Sequence, residues 1–247
     1  MGPCRAGFRR LGGIGQDMSI ASAATVTTLL LKNNGMRNTA IRGLRPNDTA
    51  NCRFAGRAVT LRYLPVRDDM LASQSLSNPD ALMHKVLARL GAGDVLVIDG
   101  MGREDAGILG DVICARLKAV GVAGIVCDGA MRDIAEIRAL GLPLFCKGGT
   151  PPPSFVQLML TDLDIPIACG GVTVFPGDLV VADEDGVAVC PAHLAPGILD
   201  TAAEQDRVER YIRSRVLKGE ALKGLYPPNA ETNAAYRAWV EAGEPDI

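Results

Sequence analysis

The stretch GIVCDGAMRD, residues 124–133, decides the fold. Ile125, Val126 and Cys127 form an apolar run without alternation, which indicates a strand that is buried on both faces. Asp128 and Gly129 then turn the chain towards a segment with helical spacing at residues 132–140. Flanking elements of the same kind are predicted at residues 95–98 (strand), 111–120 (helix) and 142–146 (strand). This β-α-β-α-β order predicts a parallel sheet with right-handed crossovers, in the α/β class.

The chain changes character after the three prolines at residues 151–153. Short apolar segments follow, and turn residues such as Gly170, Gly171, Pro176 and Gly177 separate them. The predicted strands lie at residues 165–168, 172–174, 179–182 and 187–190. They indicate an antiparallel meander.

The remaining elements are predicted from spacing and capping residues. Residues 54–64 alternate apolar and polar side chains like a strand, whereas the charged segment 194–217 has helical spacing. A polar N-cap followed by Pro79 predicts another helix that begins at residues 77–80. A further helix is predicted at residues 19–32.

Composition excludes several classes of protein. The 247 residues carry a net charge of −2, whereas a protein that binds nucleic acid through phosphates is usually basic. No apolar run approaches the ~20 residues that span a membrane. The seven cysteines form no CxxC pair, which favours buried thiols in a reducing cytoplasm. We therefore expect a cytoplasmic protein that binds neither nucleic acid nor membrane.

Three regions are expected along the chain. Residues 1–18 are Gly- and Arg-rich without an apolar stretch, so we interpret them as a flexible leader. Residues 19–220 are expected to form a single catalytic domain. Residues 221–247 form a C-terminal tail with a short helix at 234–241.

The loop after the strand at 124–127 carries the first candidate site residues. Arg132 and Asp133 fall at a predicted helix start, near the positive end of its dipole. An Arg offers a planar fork for a carboxylate, and an Asp is a hard oxygen ligand for Mg²⁺. The alternative is structural, with Asp133 stabilising the helix and Arg132 in a surface salt bridge.

A second loop, GILGD at residues 107–111, is predicted at the same edge of the sheet. Glycines before a helix leave N–H groups that can bind a carboxylate or a carbonyl oxygen. Asp111 stands at that helix start, where it is either a functional acid or a plain N-cap. Two acids, one Arg and a Gly-rich loop at one edge suit a metal-bound small anion such as a 2-oxo acid.

Taken in order, the motifs resemble those of the RraA-like proteins, which include the 4-hydroxy-4-methyl-2-oxoglutarate aldolases. They are FAGRAVT at 54–60, GILGD at 107–111, GIVCDGAMRD at 124–133, GGVTVFPGD at 170–178 and ADEDGV at 182–187. The resemblance covers roughly residues 19–220. It implies an αββα sandwich of the swivelling-domain type, assembled as a homotrimer or homohexamer with active sites between subunits.

The resemblance also implies roles for the loop residues. Asp133 would be the one direct protein ligand of Mg²⁺ or Mn²⁺, and Arg132 would hold the carboxylate of the substrate. Gly107, Leu109 and Gly110 would bind the substrate too, the last two through backbone N–H groups.

Two catalytic acids complete the implied site. Asp111 would bind the metal or the catalytic water. A glutamate would come from the long C-terminal helix of a neighbouring chain, and alignment of the helix end indicates Glu209, with Glu204 and Asp206 as rivals.

The implied activity is a class II pyruvate aldolase that acts on a 4-hydroxy-2-oxo acid, with oxaloacetate decarboxylation as a side activity. Two alternatives stay open. One is a non-catalytic regulator that binds a ribonuclease; some such members of the family lack one of the two acids, whereas Asp111 and Asp133 are both present here. The other is a related lyase that acts on a sugar-acid-derived 2-oxo acid.

Overall fold

A ten-stranded mixed sheet and a separate two-stranded sheet organise the fold, in a computed structural model that describes residues 21–245. The predicted leader at residues 1–18 lies outside the described residues. The strands are β1 (Ala40–Ile41), β2 (Arg45–Pro46), β3 (Phe54–Pro65), β4 (Asp94–Gly107), β5 (Gly124–Met131), β6 (Leu144–Cys146), β7 (Gly148–Gly149), β8 (Leu158–Leu163), β9 (Ile167–Cys169), β10 (Val172–Val174), β11 (Leu179–Asp183) and β12 (Gly186–Cys190). The helices are α1 (Ala23–Asn34), α2 (Leu71–Gln74), α3 (Leu82–Arg89), α4 (Asp111–Ala119), α5 (Ile134–Ala139), α6 (Ala195–Leu217) and α7 (Ala230–Glu241).

The predicted parallel unit is confirmed. Strands β3, β4, β5 and β6 lie side by side in the main sheet and run parallel, joined by crossovers that carry α3, α4 and α5. Leu96 and Ile98 pack towards those helices, whereas Val95 and Val97 pack into a second core on the other face. Both faces of β4 are therefore buried, which explains its unbroken apolar run.

The layers run helix, strand, strand, helix. The second core gathers Val180 and Val189 from one end of the sheet with Val126 and Phe145 from the other. Helices α3–α5 cover the outer face of the parallel half, and α1 and α6 cover the outer face of β11 and β12. The mixed α/β class is confirmed.

The strands after the prolines form two hairpins and not one continuous meander. Strand β10 pairs only with β9 in the smaller sheet, whereas β11 pairs with β3 and β12 in the main sheet. The turn between β10 and β11 is the reason that these two strands belong to different sheets. Gly177 donates its N–H to the carbonyl of Ala58 (2.8 Å), and Ala58 donates to that of Asp178 (2.8 Å), so the chain returns to β3 before β11 begins.

The helix predicted from residue 77 begins later, at Leu82, and its N-cap position is Ala81 with no side-chain capping bond. The side chain of Asn78 accepts a hydrogen bond from the N–H of Asp80 (3.0 Å) and closes a turn in place of the first helical turn. Asn and Asp side chains compete in this way with helix formation. The segment between β3 and α3 is consequently a set of short turns around α2.

The tail forms a helix, as predicted, although α7 begins at Ala230 and not at residue 234. It packs on α6 through an aromatic cluster of Tyr211, Tyr236 and Trp239. Within residues 21–245, the helices include none with the length and apolar character needed to cross a membrane.

We expect Phe145→Ala to lower the free energy of unfolding by about 3–5 kcal/mol, because truncation leaves a cavity between the two halves of the sheet. Phe145 is 1% exposed and contacts the Phe54 ring edge-on at 6.1 Å between centroids. Urea denaturation followed by circular dichroism measures the change. The matched control is Phe155→Ala, at a ring that is 57% exposed, where the change should stay within about 0.5 kcal/mol. Equal losses in the two variants would contradict this view of the core.

Candidate active site

The Gly-rich loop is fixed to the end of strand β5. Strand β4 extends to Gly107 through two register shifts, well beyond residue 98, where the predicted strand ends. Ile108 donates its N–H to the carbonyl of Ala130 (2.9 Å), and Arg132 donates its N–H to that of Leu109 (2.9 Å). These bonds bring together the two loops that the sequence placed at one edge of the sheet.

Two glycines permit a close approach of the loops. A Cβ atom on Gly107 would lie 2.2 Å from Cγ of Arg132, and one on Gly110 would lie 2.6 Å from Oδ2 of Asp133. Neither distance is possible for a real side chain. The glycines are therefore required by the positions of Arg132 and Asp133 and not only by a turn.

The backbone N–H groups of Leu109 and Gly110 donate no hydrogen bond to any of the described residues. They are adjacent in sequence and stand immediately before the first turn of α4. Free N–H groups at such a position form a ready site for a carboxylate or a carbonyl oxygen. Both N–H groups are therefore without an acceptor among the described residues, and their role in binding substrate stays a prediction.

Asp133 is held in a strained conformation and does not cap its helix. Its backbone lies in the left-handed region (φ 55°, ψ 44°) at the N-cap of α5, yet its side chain makes no capping bond. Its Oδ2 atom instead lies 3.4 Å from the backbone N of Asp111, at the start of the neighbouring helix. The side chain therefore does not cap α5 by a hydrogen bond, although its charge stands at the N-terminal end of that helix as the structural alternative has it.

Arg132 has no partner among the described residues. Its Nε atom is buried without a hydrogen bond, and none of the ion pairs within residues 21–245 includes it. The surface salt bridge that was the structural alternative is therefore not formed there. Since an unpaired buried donor costs about 1–3 kcal/mol, this side chain is poised for a ligand that the polypeptide does not itself provide.

Asp111 belongs to the same group. It is the first residue of α4, whose N-cap is Gly110, so it is not a plain N-cap. Burial, together with the negative charges of Asp111 and Asp133, raises the pKa of the Cys114 thiol to about 12. Both carboxylates thus lie close to one thiol one helical turn into α4, and that thiol stays protonated at neutral pH.

The donor set fits a magnesium-like ion. The carboxylate of Asp133 has only one long hydrogen bond, so its oxygens are available. Among the described residues, no group of three or more His, Cys, Asp and Glu side chains gathers in a way that could enclose a metal. Mg²⁺ is commonly held by one or two carboxylates with water and substrate as the other ligands, whereas structural Zn²⁺ needs four protein ligands.

Glu209 and its rivals lie on α6, which packs with α1, β11 and β12. Asp206 accepts hydrogen bonds from the N–H of Ser22 (3.0 Å) and the hydroxyl of Thr25 (2.6 Å). Glu204 accepts one from the hydroxyl of Tyr236 (2.8 Å). Glu209 bonds only Gln205 of its own helix (3.0 Å), so it is the least committed of the three acids. Within one chain it does not join the loop group.

Two charged residues near the strand ends serve the fold. Asp128 accepts a hydrogen bond from the N–H of Gly170 (3.0 Å) and therefore anchors the β9–β10 hairpin. The Nζ atom of Lys147 lies 3.6 Å from the other oxygen of Asp128. At this distance the ion pair is not a hydrogen bond, and Oδ1 of Asp128 is buried without a hydrogen-bond partner among the described residues.

The sequence analysis missed a cavity of about 140 Å³ beside the Gly-rich loop. Leu109 and Gly110 form part of its wall, and α2, α3, α4, β3 and β8 supply the rest. Its lining residues are Tyr63, Gln74, Leu76, Leu82, Met83, Ile108, Leu109, Gly110, Ile113 and Leu160. No pattern in the sequence signals it, since four separate segments meet there.

Comparison with known proteins supports the resemblance. A family described as RraA-like, Aldolase/RraA, matches residues 19–189. A protein of Halalkalibacterium halodurans named "Putative 4-hydroxy-4-methyl-2-oxoglutarate aldolase" is 38% identical over 148 residues, which are 58% of this chain and 70% of that protein.

Solved structures of similar fold include two named for ribonuclease regulation. RraAS2 of Streptomyces coelicolor, described as an unusual member of the RNase ES inhibitor RraA family, is 37% identical with a TM-score of 0.69, covering 78% of this chain and 91% of that one. The RNA-processing inhibitor RraA from Thermus thermophilis is 33% identical with a TM-score of 0.52, covering 67% and 92%.

If the charge of Asp133 serves a ligand and not the fold, Asp133→Asn should leave the free energy of unfolding within about 0.5 kcal/mol of wild type or raise it. Asn tolerates the left-handed backbone, and the change removes repulsion from Asp111. The isosteric control is Asp94→Asn. Asp94 is buried and accepts bonds from Arg57 (2.9 Å) and the N–H of Gly91 (3.0 Å), so we expect a loss of about 1.5–3 kcal/mol.

Urea denaturation in metal-free buffer measures both variants. A loss at Asp133 as large as that at Asp94 would contradict the assignment, because it would make Asp133 a structural residue.

Proposed function

Because the chain belongs to the RraA-like family, we propose that it is a divalent-metal-dependent lyase that cleaves a 4-hydroxy-2-oxo acid to pyruvate and a second carbonyl compound. One observation carries the proposal. An unpartnered Arg132, an uncommitted Asp133 carboxylate and two free N–H groups converge at the carboxyl edge of the parallel sheet. Each of these groups complements a different part of a bound 2-oxo acid.

Arg132 and the Gly-rich loop bind the substrate in this proposal. The guanidinium pairs with the C1 carboxylate through its planar fork. The N–H groups of Leu109 and Gly110 donate to the oxygens of the same keto acid, and Gly107 keeps Arg132 close by having no side chain. These contacts fix the bond between C3 and C4 relative to the acids of the site.

Asp133 would hold Mg²⁺ or Mn²⁺ as the single direct protein ligand. When bound, the cation supplies Lewis-acid stabilisation of the negative charge that develops on the C2 oxygen as the C3–C4 bond breaks. Asp111, whose backbone N lies 3.4 Å from Oδ2 of Asp133, orients water beside that carboxylate.

Proton transfer completes the reaction. Loss of the proton from the C4 hydroxyl lets the C4 carbonyl form, while the electrons of the C3–C4 bond pass towards the C2 oxygen. The same proton, carried by a water that Asp111 and Glu209 hold, then returns to C3 and yields pyruvate. In oxaloacetate the same C3–C4 bond breaks with CO₂ as the leaving group and C3 takes its proton from the held water, so decarboxylation is the expected side activity.

Glu209 reaches this water only if a neighbouring chain provides it. The helix that carries it packs with α1, β11 and β12 in a different core cluster from the loop. We therefore propose a homotrimer, or a hexamer of two trimers, in which α6 of one subunit completes the site of the next.

The ribonuclease-regulator function of the two solved relatives is the second candidate, because those proteins share 37% and 33% identity with this chain. A regulator that binds another protein does not need an Arg with an unpaired, buried Nε atom beside a strained Asp. The arrangement of Arg132 and Asp133 therefore favours a small-molecule site.

The first test is metal-dependent pyruvate release from oxaloacetate and from a panel of 4-hydroxy-2-oxo acids. Activity should disappear with EDTA and return with Mg²⁺, and Asp133→Ala should lower kcat on the order of a thousandfold because the cation loses its protein ligand. Asp185→Ala, at an exposed acid in the β11–β12 turn, is the control and should behave like wild type. Failure of the metal-loaded wild type to turn over any 2-oxo acid would overturn the proposal.

A second test concerns the neighbouring subunit. Asp133→Ala and Glu209→Gln subunits, each inactive alone, are unfolded together and reassembled in equal amounts. If each site uses Asp133 of one chain and Glu209 of the next, about a quarter of the sites contain both native residues, and about a quarter of wild-type activity returns. Reassembly of each variant alone is the control. No recovery in a mixture of confirmed oligomers would exclude Glu209 as the acid supplied in trans.

A further inference from the structure

The cavity and the proposed substrate site share two residues of the Gly-rich loop, Leu109 and Gly110. Gly110 lines the cavity, and a Cβ atom on it would lie 2.6 Å from Oδ2 of Asp133 and 3.9 Å from Cβ of Arg132. Leu109 also lines it and carries one of the two free N–H groups. A keto acid held by these groups therefore has the cavity within the reach of its next few carbon atoms.

The cavity wall is uncharged and mostly apolar. Its lining, within the part of the chain that the structure describes, includes no Lys, Arg, His, Asp or Glu. Burial raises the pKa of Tyr63 well above its ordinary value, so its hydroxyl is neutral. The amide of Gln74 is partly committed, since its Oε1 accepts from the N–H of Leu160 (2.9 Å) and one N–H of its Nε2 donates to the hydroxyl of Ser73 (3.3 Å).

Size sets a second limit on the occupant. An apolar cavity of ~150 Å³ in another protein admits benzene, so ~140 Å³ gives room for roughly four to six carbon atoms. A second carboxylate in this cavity would meet no cation, and beside a bound keto acid the only donors left to it would be the Tyr63 hydroxyl and the second N–H of the Gln74 amide, so its loss of hydration would be costly. An aliphatic chain has no hydrogen bonds to water to lose, and it would gain van der Waals contacts with Leu82, Met83 and Leu160.

We propose that this cavity binds the C4 substituent of the substrate, and that the substrate is a 4-hydroxy-2-oxo acid with an aliphatic, uncharged C4 chain. The assignment rests on the proposed lyase function, and it narrows that function. It differs from the activity for which the Halalkalibacterium relative is named, since 4-hydroxy-4-methyl-2-oxoglutarate carries a second carboxylate at C4. Tyr63, Met83 and Leu160 are then specificity-determining residues, not catalytic ones.

The test compares kcat/KM across 4-hydroxy-2-oxo acids whose C4 chain grows from a hydrogen to a butyl group, together with the 4-carboxylate compound 4-hydroxy-2-oxoglutarate. Each added methylene should raise kcat/KM about three- to fourfold until the cavity is full. The dicarboxylate should fall below the butyl compound by at least the gain of two methylenes. Equal values along the series, or a preference for the dicarboxylate, would overturn the assignment.

A pair of matched variants tests whether the dependence of kcat/KM on chain length arises in this cavity. Met83→Trp fills the cavity and should reduce the butyl-to-hydrogen ratio of kcat/KM towards one. Met70→Trp makes the same change in the same segment at a side chain that is 40% exposed and outside the cavity, and should keep the wild-type ratio. If folded Met83→Trp protein kept the wild-type ratio of kcat/KM, the C4 chain of the substrate would bind elsewhere and the proposal would be contradicted.

A measurement on the wild-type protein covers the case in which Met83→Trp does not fold. Straight-chain 2-oxo acids from pyruvate to 2-oxoheptanoate should inhibit oxaloacetate decarboxylation with an inhibition constant that falls about three- to fourfold per methylene. Decarboxylation without this chain-length dependence would reject the cavity assignment alone. Absence of all decarboxylation would reject the lyase function, and the assignment with it.

Discussion

The contact between the Gly-rich loop and the end of strand β5 is the constraint on which the site depends. The loop lies so close that neither Gly107 nor Gly110 could carry a Cβ atom without striking Arg132 or Asp133. Backbone bonds between Ile108 and Ala130 and between Arg132 and Leu109 hold the two segments at that distance. Because both segments are anchored on buried parallel strands, the position of Arg132 is set by the sheet and not by its own contacts. A rigid support of this kind lets a side chain stay in place while its polar atoms remain unpaired.

That arrangement carries a thermodynamic cost which the fold alone does not explain. Asp133 has a left-handed backbone although it is not glycine, and the Nε atom of Arg132 is buried without a partner. Such features cost about 1–3 kcal/mol each and persist where the surroundings over-determine them. Asp94 shows the opposite behaviour, since its buried carboxylate is satisfied by Arg57 and by the N–H of Gly91. The contrast separates an acid that stabilises the fold from an acid that is available to a ligand.

The sequence was sufficient to predict strands and helices where the pattern of residues is local and strong. Unbroken apolar runs followed by a turn and a helical segment predicted β4, α4, β5 and α5, and the rule for ligand sites in parallel sheets then placed Asp111, Arg132 and Asp133 at one edge. Prediction from the sequence failed where contacts between distant segments determine the structure. The return of the chain to β3 after β10 depends on the backbone hydrogen bonds of Gly177 and Asp178 with Ala58, which lies far earlier in the sequence. The side-chain turn of Asn78 displaced the start of α3, and the cavity formed by Tyr63, Met83 and Leu160 could not be predicted once that segment was taken as helix.

The two halves of the site are built in different ways, and this difference bears on function. The groups that would anchor a keto acid are backbone N–H groups and side chains at the ends of β4 and β5, where any change of spacing would disturb the sheet. Part of the cavity wall, namely Gln74, Leu76, Leu82 and Met83, comes from the turns and short helices between β3 and β4, which are tied to the sheet by packing and by the hydrogen bond from Leu160 to Gln74. Substitutions in that segment can change the shape of the cavity without moving Arg132 or Asp133. A fixed anchor beside an adjustable wall is the arrangement expected where one bond-breaking step is applied to substrates that differ only beyond C4.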